Sequence, residues 1–426
     1  MSGPGTVTSE PASTLAFVWD PLTPAVMSLV IEAREICDVL WIVDRSRPEV
    51  EPMMRFLRKF GTCLDVTGLT LDEAASQIAQ YQPQGILSLA DGSLLWTAQV
   101  AQRLGLKFMS PETAVRLTDK HVQREAFRDH GLAVPGNWIV PGDDDDALWR
   151  RLCDEATFPA VLKPRTGAAS RDTVPVGSLE ELREIWELHK SARDVPHDFV
   201  LEQYIADSPL PLGGEGFAGY VSVESFVCDG QVSHVGVNGR MPPAPPFRET
   251  GFFIPAALDP GLEAAVLDVA RRAVTAMDIA VGCQHTEIKL TPDGPVVIEV
   301  NGRIGGGVPE LLAAANGVRF MSLAVRLALG QHISYEELPP CDRVAYLLYV
   351  HAPQEIHTVT AVEGLSQLKE TAGVDEIVLK RGPGQPVDWR EGNHGYVYSV
   401  FGTVADHEEL RHLYGLVSSL VTIEGE

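Results

Sequence analysis

The chain has 426 residues, which is enough for two to four domains of ordinary size. Its 45% apolar and 22% charged residues are close to globular averages, so the composition excludes a disordered or fibrous chain. The 34 basic and 58 acidic residues leave a formal net charge of −24. Since an acidic surface repels phosphate backbones and anionic lipids, we expect no nucleic-acid partner and no membrane partner.

The six cysteines are scattered, and no two of them form a CxxC motif. This pattern predicts reduced thiols in a cytoplasmic protein. No apolar stretch approaches the roughly 20 residues that a membrane-spanning helix needs. Residues 1–14 are rich in Ser, Thr, Pro and Gly and lack the pattern of a secretion signal, so we predict a disordered tail.

From Leu15 onwards, short apolar runs alternate with segments of helical periodicity. This alternation predicts an α/β domain with a parallel sheet over residues 15–115. The predicted strands are 15–19, 39–43 and 85–89, and the predicted helices are 23–36, 51–60, 71–81 and 93–104.

The rest of the chain has an α+β pattern. A helix is predicted over 118–131, and a strand-rich region follows from about 158 to 302. The proline-rich run 241–246 is interpreted as a loop over a site. One long helix is predicted over 308–329, and a small closing domain of strands and one helix completes the chain. The remaining predicted strands are 158–163, 199–202, 220–227, 284–290 and 296–301, and the remaining helices are 178–190 and 261–278.

The most informative segment is a predicted hairpin over residues 285–301. The turn signal Pro-Asp-Gly, centred on Asp293, separates two strand-like runs. Counting outward from that centre places Glu287 opposite Glu299 and His285 opposite Asn301, all on one face. The alternate positions share the other face: Ile288, Leu290, Val296, Ile298 and Val300.

Two carboxylates opposed in a hairpin repel each other, so something must compensate. One carboxyl could be protonated, a lysine could lie between them, or a divalent cation could bridge them. Glu287, Glu299 and the side-chain oxygen of Asn301 form a hard oxygen set that suits Mg²⁺. The alternative is a solvated polar face on an edge hairpin. Arg303 follows closely and could stabilise negative charge that develops during a reaction.

Other residues have features of a nucleotide site. Lys163 ends a predicted strand and precedes a small-residue loop containing Ser170, which would suit phosphate binding, although a surface lysine is the alternative. Lys120 lies near the start of its helix. At Glu202 a strand breaks into a loop, which would offer backbone groups to an adenine edge. The chain has no GxxxxGK[ST] motif, so an ATP site here is not a P-loop. The glycines at 305–307 do not have dinucleotide-binding spacing.

The order of these segments resembles the ATP-grasp superfamily over residues 85–420, and is most similar to the L-amino-acid ligases (dipeptide synthetases). The resemblance implies an ATP-grasp fold with an N-terminal parallel-sheet α/β domain. It also implies subdomains at 116–205 and 206–330, the second with the metal site, and a closing domain at 331–426. The matching segments are 111–135, 161–164 (VLKP), 201–205 (LEQYI), 285–289 (HTEIK) and 298–303 (IEVNGR).

The resemblance also implies roles for individual residues. Lys120 and Lys163 would contact ATP phosphates, with Ser170 in the phosphate loop. Glu202, Tyr204 and Ile205 would line the adenine–ribose end. Glu287, Glu299 and Asn301 would hold two Mg²⁺, for which Mn²⁺ could substitute. Lys163 and Arg303 would be catalytic, and Glu249 would recognise a substrate amino group. The sequence departs from the family at Ala168 and Ala169, where glycine is usual, and at Tyr220, where many relatives have glutamate.

The implied activity is that of an ATP-dependent carboxylate–amine ligase. It would join two amino acids, or an amino acid and a small carboxylate, through an acyl phosphate, releasing ADP and phosphate. The resemblance also implies a homodimer formed through the first domain. Two alternatives stay open: a carboxylating or formyl-transferring ATP-grasp enzyme, and an ATP-binding protein without turnover.

Overall fold

A computed structural model describes residues 13–140, 146–167, 169–191 and 198–426. The predicted tail lies outside the described residues except for Ser13 and Thr14, and Thr14 already belongs to the first strand. Ala168 of the predicted phosphate loop is also outside them.

The N-terminal region contains the predicted parallel sheet, with strand order β3-β2-β1-β4. Its central strands are almost wholly buried, which is why they form continuous apolar runs. Strand β3 was not predicted, because it is short, only partly buried and has no apolar run. The elements are β1 Thr14–Val18, α1 Val26–Ala33, β2 Asp38–Val43, α2 Val50–Leu57, β3 Thr62–Asp65, α3 Leu71–Ala79, β4 Gly85–Ser88 and α4 Asp91–Leu104.

The next region forms an antiparallel sheet of order β5-β8-β6-β7. The helix predicted over 118–131 is present as α6, Lys120–Asp129, whereas the preceding helix α5, Pro111–Thr118, was not predicted. Two helices meet at Asp119, whose extended backbone ends the first and whose carboxylate caps the second by accepting from the His121 and Val122 N–H groups. The elements are α5 Pro111–Thr118, α6 Lys120–Asp129, β5 Asn137–Val140, α7 Asp146–Glu155, β6 Ala160–Pro164, β7 Val174–Val176, α8 Leu179–Ser191 and β8 Phe199–Gln203.

A large antiparallel sheet of order β13-β12-β9-β10-β11-β14-β17-β16 dominates the rest of the chain. Helix α9 packs on β12 and β13 through apolar residues. The other face of the same strands is polar and buried near the cavity described below. The elements are β9 Tyr220–Cys228, β10 Gln231–Arg240, β11 Gly251–Ile254, α9 Pro260–Ala276, β12 Gly282–Thr291, β13 Gly294–Asn301, α10 Val308–Asn316 and α11 Phe320–Ala328.

The C-terminal strands continue this large sheet, because β14 pairs with β11. The sheet therefore crosses the predicted boundary at residue 331, and the division into domains stays a prediction. The single helix expected here was wrong, since the segment contains α12, α13 and a 3₁₀ helix. The elements are β14 Val344–His351, β15 Val359–Glu363, α12 Leu365–Lys369, β16 Val374–Leu379, the 3₁₀ helix Trp389–Gly395, β17 Tyr396–Val404, α13 His407–Leu420 and β18 Thr422–Gly425.

The long helix predicted over 308–329 is broken in two. Gly317 follows α10 with a left-handed backbone (φ 75°), and α11 then leaves at an angle of 114° to α10. Among the described residues, no single helix has the length and apolar character to cross a membrane, whereas the bent pair α10–α11 does by length and composition alone. Both helices are largely buried in the core against β11, β14 and α1.

We predict that Gly317→Ala destabilises the protein by about 1–2 kcal/mol, because an L-residue at this positive φ is strained even where space is open. Gly415→Ala is the matched control. A Cβ added at Gly415 also meets no neighbouring atom of the described residues within 4 Å. Gly415 lies inside α13, however, where alanine should stabilise the protein by up to about 1 kcal/mol. Thermal unfolding midpoints that shift in opposite directions would support this account; equal shifts would contradict it.

Candidate active site

A cavity of about 700 Å³ is lined by residues from the sheet β5-β8-β6-β7 and from the eight-stranded sheet. It brings together most of the predicted site residues. The proline-rich run 241–246 also contributes to the cavity wall, through Pro242, Pro243 and Pro246. This position agrees with its interpretation as a loop over a site. The predicted residues that line it are Lys120, Lys163, Ser170, Glu202, Tyr204, Ile205, Glu249, Glu287 and Glu299.

The hairpin pairs Glu287 with Glu299 and His285 with Asn301, as predicted. The predicted apolar face was partly wrong. A one-residue bulge shifts the register between Glu287 and Ile288, so Ile288 pairs with Val297. As a result Val297 is fully buried, Val296 is only partly buried, and Ile298 lines the cavity beside Glu299.

Buried cations lie beside Glu287. Its Oε1 is 3.9 Å from Nη2 of Arg240 and 3.4 Å from Nε2 of His285. Burial would raise the pKa of Glu287, but His285 and Arg240 hold it down at about 2. Across the ribbon, Glu299 accepts a hydrogen bond from the side-chain amide of Asn301 at 3.1 Å. Glu287 is therefore ionised and faces a second acidic side chain.

His285 is held in its charged form by Glu224. Burial alone would lower the pKa of His285, but the Glu224 carboxylate, which accepts from its Nδ1 at 2.5 Å, and Glu287 raise it to about 9. Glu224 is fully buried on β9, and its second oxygen has no hydrogen-bond partner among the described residues. Glu224 and Arg240 were not predicted from the sequence. Polar residues at alternate positions of otherwise apolar strands were the signal that could have identified them.

A second group of buried charges holds the predicted phosphate lysine. Oε1 of Glu202 lies 2.9 Å from Nζ of Lys163 and 2.8 Å from Nη2 of Arg124. Burial would raise the pKa of Glu202, but Arg124 and Lys163 lower it to about 2. Arg124, which was not predicted, is 1% exposed and also donates to the backbone carbonyl of Ile298 on β13. One side chain therefore links the two sheets at the site.

Lys120 lies beside the described part of the phosphate loop and donates from Nζ to the carbonyl of Gly167 at 2.7 Å. Burial lowers its pKa, and Lys163 lowers it further, against the opposing effect of Glu299. Ala169 and Ser170 have positive φ values of 62° and 54°, a backbone conformation that glycine would adopt more easily. The loop thus takes a glycine-like shape without the glycine that the family usually has.

Tyr204, Asp207 and Lys289 form a connected polar group in the cavity wall. The hydroxyl of Tyr204 donates to Asp207 at 2.6 Å, and burial together with this bond raises the pKa of Tyr204 to about 12. Asp207 also pairs with Lys289, which lies two residues beyond Glu287 and itself lines the cavity. Lys289 and Asp207 were not predicted as site residues.

Glu249 is held by contacts with two residues, Arg240 and Asn393. Arg240 pairs with its Oε1, and the side-chain amide of Asn393 donates to its Oε2 at 2.9 Å. The Glu249 N–H donates to Oδ1 of Asn393 at 2.8 Å. The Asn393 N–H donates to the carbonyl of Ala169 at 3.0 Å, so this C-terminal residue links Glu249 to the phosphate loop.

Arg303 and Asn301 are not among the residues that line the cavity. Arg303 pairs with Asp91 at 2.7 Å, at the N-terminus of α4 in the first region. Within the part of the chain that the structure describes, the second carboxylate oxygen of Asp91 is buried and has no hydrogen-bond partner. The structure therefore connects Arg303 to the N-terminal region, which the sequence analysis did not anticipate, and the catalytic role of Arg303 stays a prediction.

The middle of the chain is similar to a known protein family. Residues 156–310 match the family model described as the ATP-grasp domain. The chain contains an ATP-grasp domain. The match extends from just before β6 into α10, so the domain includes Lys163, Glu202, Glu287 and Glu299. The resemblance predicted from the sequence is confirmed.

Curated relatives to which this chain is similar include two ligases of Bacillus subtilis. The alanine–anticapsin ligase is 27% identical over 221 residues, which are 49% of this chain and 46% of the relative. The L-arginine-specific L-amino acid ligase is 21% identical over 360 residues, which are 83% of each chain. In four of the curated relatives, the part that matches this chain is between 42% and 63% of the relative's length, which is less than two thirds in each.

Among solved structures, the L-amino acid ligase from Bacillus licheniformis is similar with a TM-score of 0.77 and 21% sequence identity. The alignment covers 98% of this chain and 100% of the other. At this identity the likeness concerns the fold. It confirms the predicted ATP-grasp fold, with α/β and α+β parts.

The Glu202 group predicts a specific acid dependence of stability. The folded pKa of about 2 lies below the unfolded value of about 4.3, so the stabilisation is fully present above the unfolded value and is lost as pH falls towards 2. Glu202→Gln should flatten the pH dependence of the free energy of unfolding between pH 5 and 3. The contribution that it removes is on the order of 3 kcal/mol at most. It should also lower stability at pH 7, because two buried cations lose their counter-charge.

Glu180→Gln, at an exposed glutamate on α8, is the control for loss of an acidic group. Its pH profile should match that of the wild type. A Glu202→Gln profile as steep as the wild-type profile would contradict the assigned pairing.

Asn393→Ala should reduce stability by about 1–3 kcal/mol, since both polar groups of its side chain bond to Glu249. Asn393→Asp should cost more at pH 7, because a second carboxylate would then face Glu249. The comparison of thermal unfolding for the two variants separates loss of the bonds from charge repulsion. An aspartate variant as stable as the wild type would remove Asn393 from this role.

Proposed function

We propose that the protein is an ATP-dependent carboxylate–amine ligase that forms an amide bond, with two amino acids, or an amino acid and a small carboxylate, as substrates. The observation that carries the proposal is a single cavity with lysines on one wall and the opposed Glu287 and Glu299 on another. This combination suits a triphosphate and its metal ions. The ligase names of the curated relatives support it.

In this proposal ATP binds along the cavity, with Lys120 and Lys163 at the phosphates and Ser170 in the phosphate loop. Glu202 acts by positioning, because its carboxylate is already shared by Lys163 and Arg124. Tyr204 and Ile205 line the adenine–ribose end, close to Asp207 and Lys289. A preorganised lysine needs no reorganisation during the reaction, which is where such electrostatic sites gain rate.

The donor set at the ribbon fits Mg²⁺ or Mn²⁺. Glu287, Glu299 and Asn301 offer hard oxygen ligands on adjacent positions of one face. The buried Arg240 and His285 lie behind Glu287, where they oppose protonation of that carboxylate. Bound metal would neutralise phosphate charge. Two ions and their exact ligands are part of the proposal.

The chemistry would proceed in two transfers. An oxygen of the substrate carboxylate attacks the γ-phosphorus of ATP, the β–γ bond breaks, and ADP leaves. The neutral amine of the second substrate then attacks the acyl carbon, phosphate leaves, and the amine nitrogen loses a proton. Glu249 would bind the substrate amino group, since each of its oxygens can accept a further hydrogen bond. Arg303 would stabilise the charge of the intermediates.

A phosphate-release screen tests the proposal. Amino acids and small carboxylates are offered singly and in pairs with Mg-ATP, and products are identified by mass spectrometry. Release that needs a pair, with an amide whose mass is the sum of the two less water, would support it. Release that depends on bicarbonate or formate would favour the carboxylating or formyl-transferring alternative. ATP binding without stimulated release across the screen would favour an ATP-binding protein without turnover.

Glu299→Gln should abolish ADP formation while the unfolding midpoint stays near that of the wild type, because a metal ligand is lost and side-chain volume is kept. Glu180→Gln should retain full turnover, since that residue is exposed and is not among the residues that line the cavity. Wild-type turnover by Glu299→Gln would refute the metal assignment. The homodimer and the cytoplasmic location stay predictions, and light scattering during size-exclusion chromatography would test the first.

A further inference from the structure

Three side chains with metal-binding chemistry meet at the end of β9 that lies away from the cavity. Cys228 ends that strand, Asp229 begins the turn to β10, and His332 follows α11. Tyr220, at the other end of β9, lines the cavity, and eight residues of strand separate the two sites by roughly 25 Å. None of the three residues has a part in the proposed ligase reaction.

The three ligand atoms form a compact triangle. Sγ of Cys228 is 3.6 Å from Nδ1 of His332 and 3.9 Å from Oδ2 of Asp229, and that Nδ1 is 3.5 Å from the same Oδ2. In a tetrahedral zinc site the bonds are about 2.3 Å to sulfur and about 2.0–2.2 Å to nitrogen and oxygen. Two ligand atoms of such a site are therefore roughly 3.4–3.6 Å apart. The observed separations are close to these values without any movement of the backbone.

We propose that Cys228, Asp229 and His332 bind a zinc ion, with the fourth position open to water. A thiolate, an imidazole and a carboxylate form a borderline-soft donor set, which favours Zn²⁺ over the Mg²⁺ that suits an all-oxygen site. Binding releases the thiol proton of Cys228, so one proton leaves for each ion that enters.

The Cys228 thiol also lies 3.9 Å from the carbonyl oxygen of Gln331, a contact that the thiol gives up when it loses its proton to bind an ion. Lys107 pairs with Oδ1 of Asp229 at 3.3 Å, which leaves Oδ2 for the ion and orients the carboxylate from the N-terminal region. The turn is anchored by the Gly230 N–H, which donates to the carbonyl of Ala280 at 3.0 Å. Cys228 is 4% exposed, whereas the His332 side chain is 68% exposed, so an ion has a path from solvent.

The position of the site indicates a structural role. An ion there would join the β9–β10 turn to the segment after α11, and through Lys107 to the N-terminal region. Since the folded protein would bind the ion more tightly than the unfolded chain does, zinc should raise the unfolding midpoint in a concentration-dependent way.

The test measures metal content and spectra of the full chain. Protein stripped with a chelator and dialysed against zinc should retain about one ion per chain by elemental analysis. Cobalt added in place of zinc should give a thiolate-to-metal charge-transfer band and tetrahedral visible bands. Cys228→Ser and His332→Asn should each lower zinc affinity by roughly tenfold or more, measured by competition with a chromogenic chelator.

Matched variants keep the result specific. Cys63→Ser and His357→Asn change a thiol and an imidazole elsewhere and should retain the ion and the band. Glu299→Gln should also retain zinc, which separates this site from the proposed magnesium site. If Cys228→Ser does not fold, His332→Asn decides, because that side chain is exposed. Equal zinc affinity in the wild type and His332→Asn, or cobalt binding without a thiolate band, would overturn the proposal.

Discussion

Two acidic side chains opposed across one β-ribbon are the constraint around which the site is arranged. Glu287 and Glu299 face each other on β12 and β13, and a like-charged pair in that position destabilises a sheet. A buried charge costs several kcal/mol unless it is paired. Arg240 and charged His285 meet this need on one side, with Glu224 behind His285. Arg240, His285 and Glu224 therefore stabilise the folded ribbon as well as contributing to the site.

The same physical argument applies to the opposite wall. Glu202 is an anion held between Lys163 and Arg124, and removing it would leave two buried cations without their shared counter-charge. Arg124 also bonds to the backbone of Ile298, beside Glu299. One buried guanidinium therefore bridges the lysine wall and the carboxylate ribbon. A substitution at Arg124 would disturb both walls, although that residue does not line the cavity.

The parts of the site that could be predicted from the sequence depend on local relations. Strand alternation and a turn signal place His285, Glu287, Glu299 and Asn301 on one face, and apolar runs identify the parallel sheet. The parts that were missed depend on long-range contacts. Arg124 lies 78 residues from Glu202, Asn393 lies 144 from Glu249, and Asp91 lies 212 from Arg303. No periodicity in the sequence reports such pairs, because each depends on how separate elements pack.

The carboxylate pairing itself was predicted by an incomplete argument. The actual turn pairs Thr291 with Gly294, and an unbroken ladder from that turn would place Glu287 opposite Ile298. The bulge adds one residue on β13 and restores the pairing with Glu299. A slip of one residue in a strand exchanges its two faces, so without the bulge Glu299 would lie on the apolar face with α9. The single extra residue is thus what allows a two-residue turn and a pair of facing carboxylates to coexist in one hairpin.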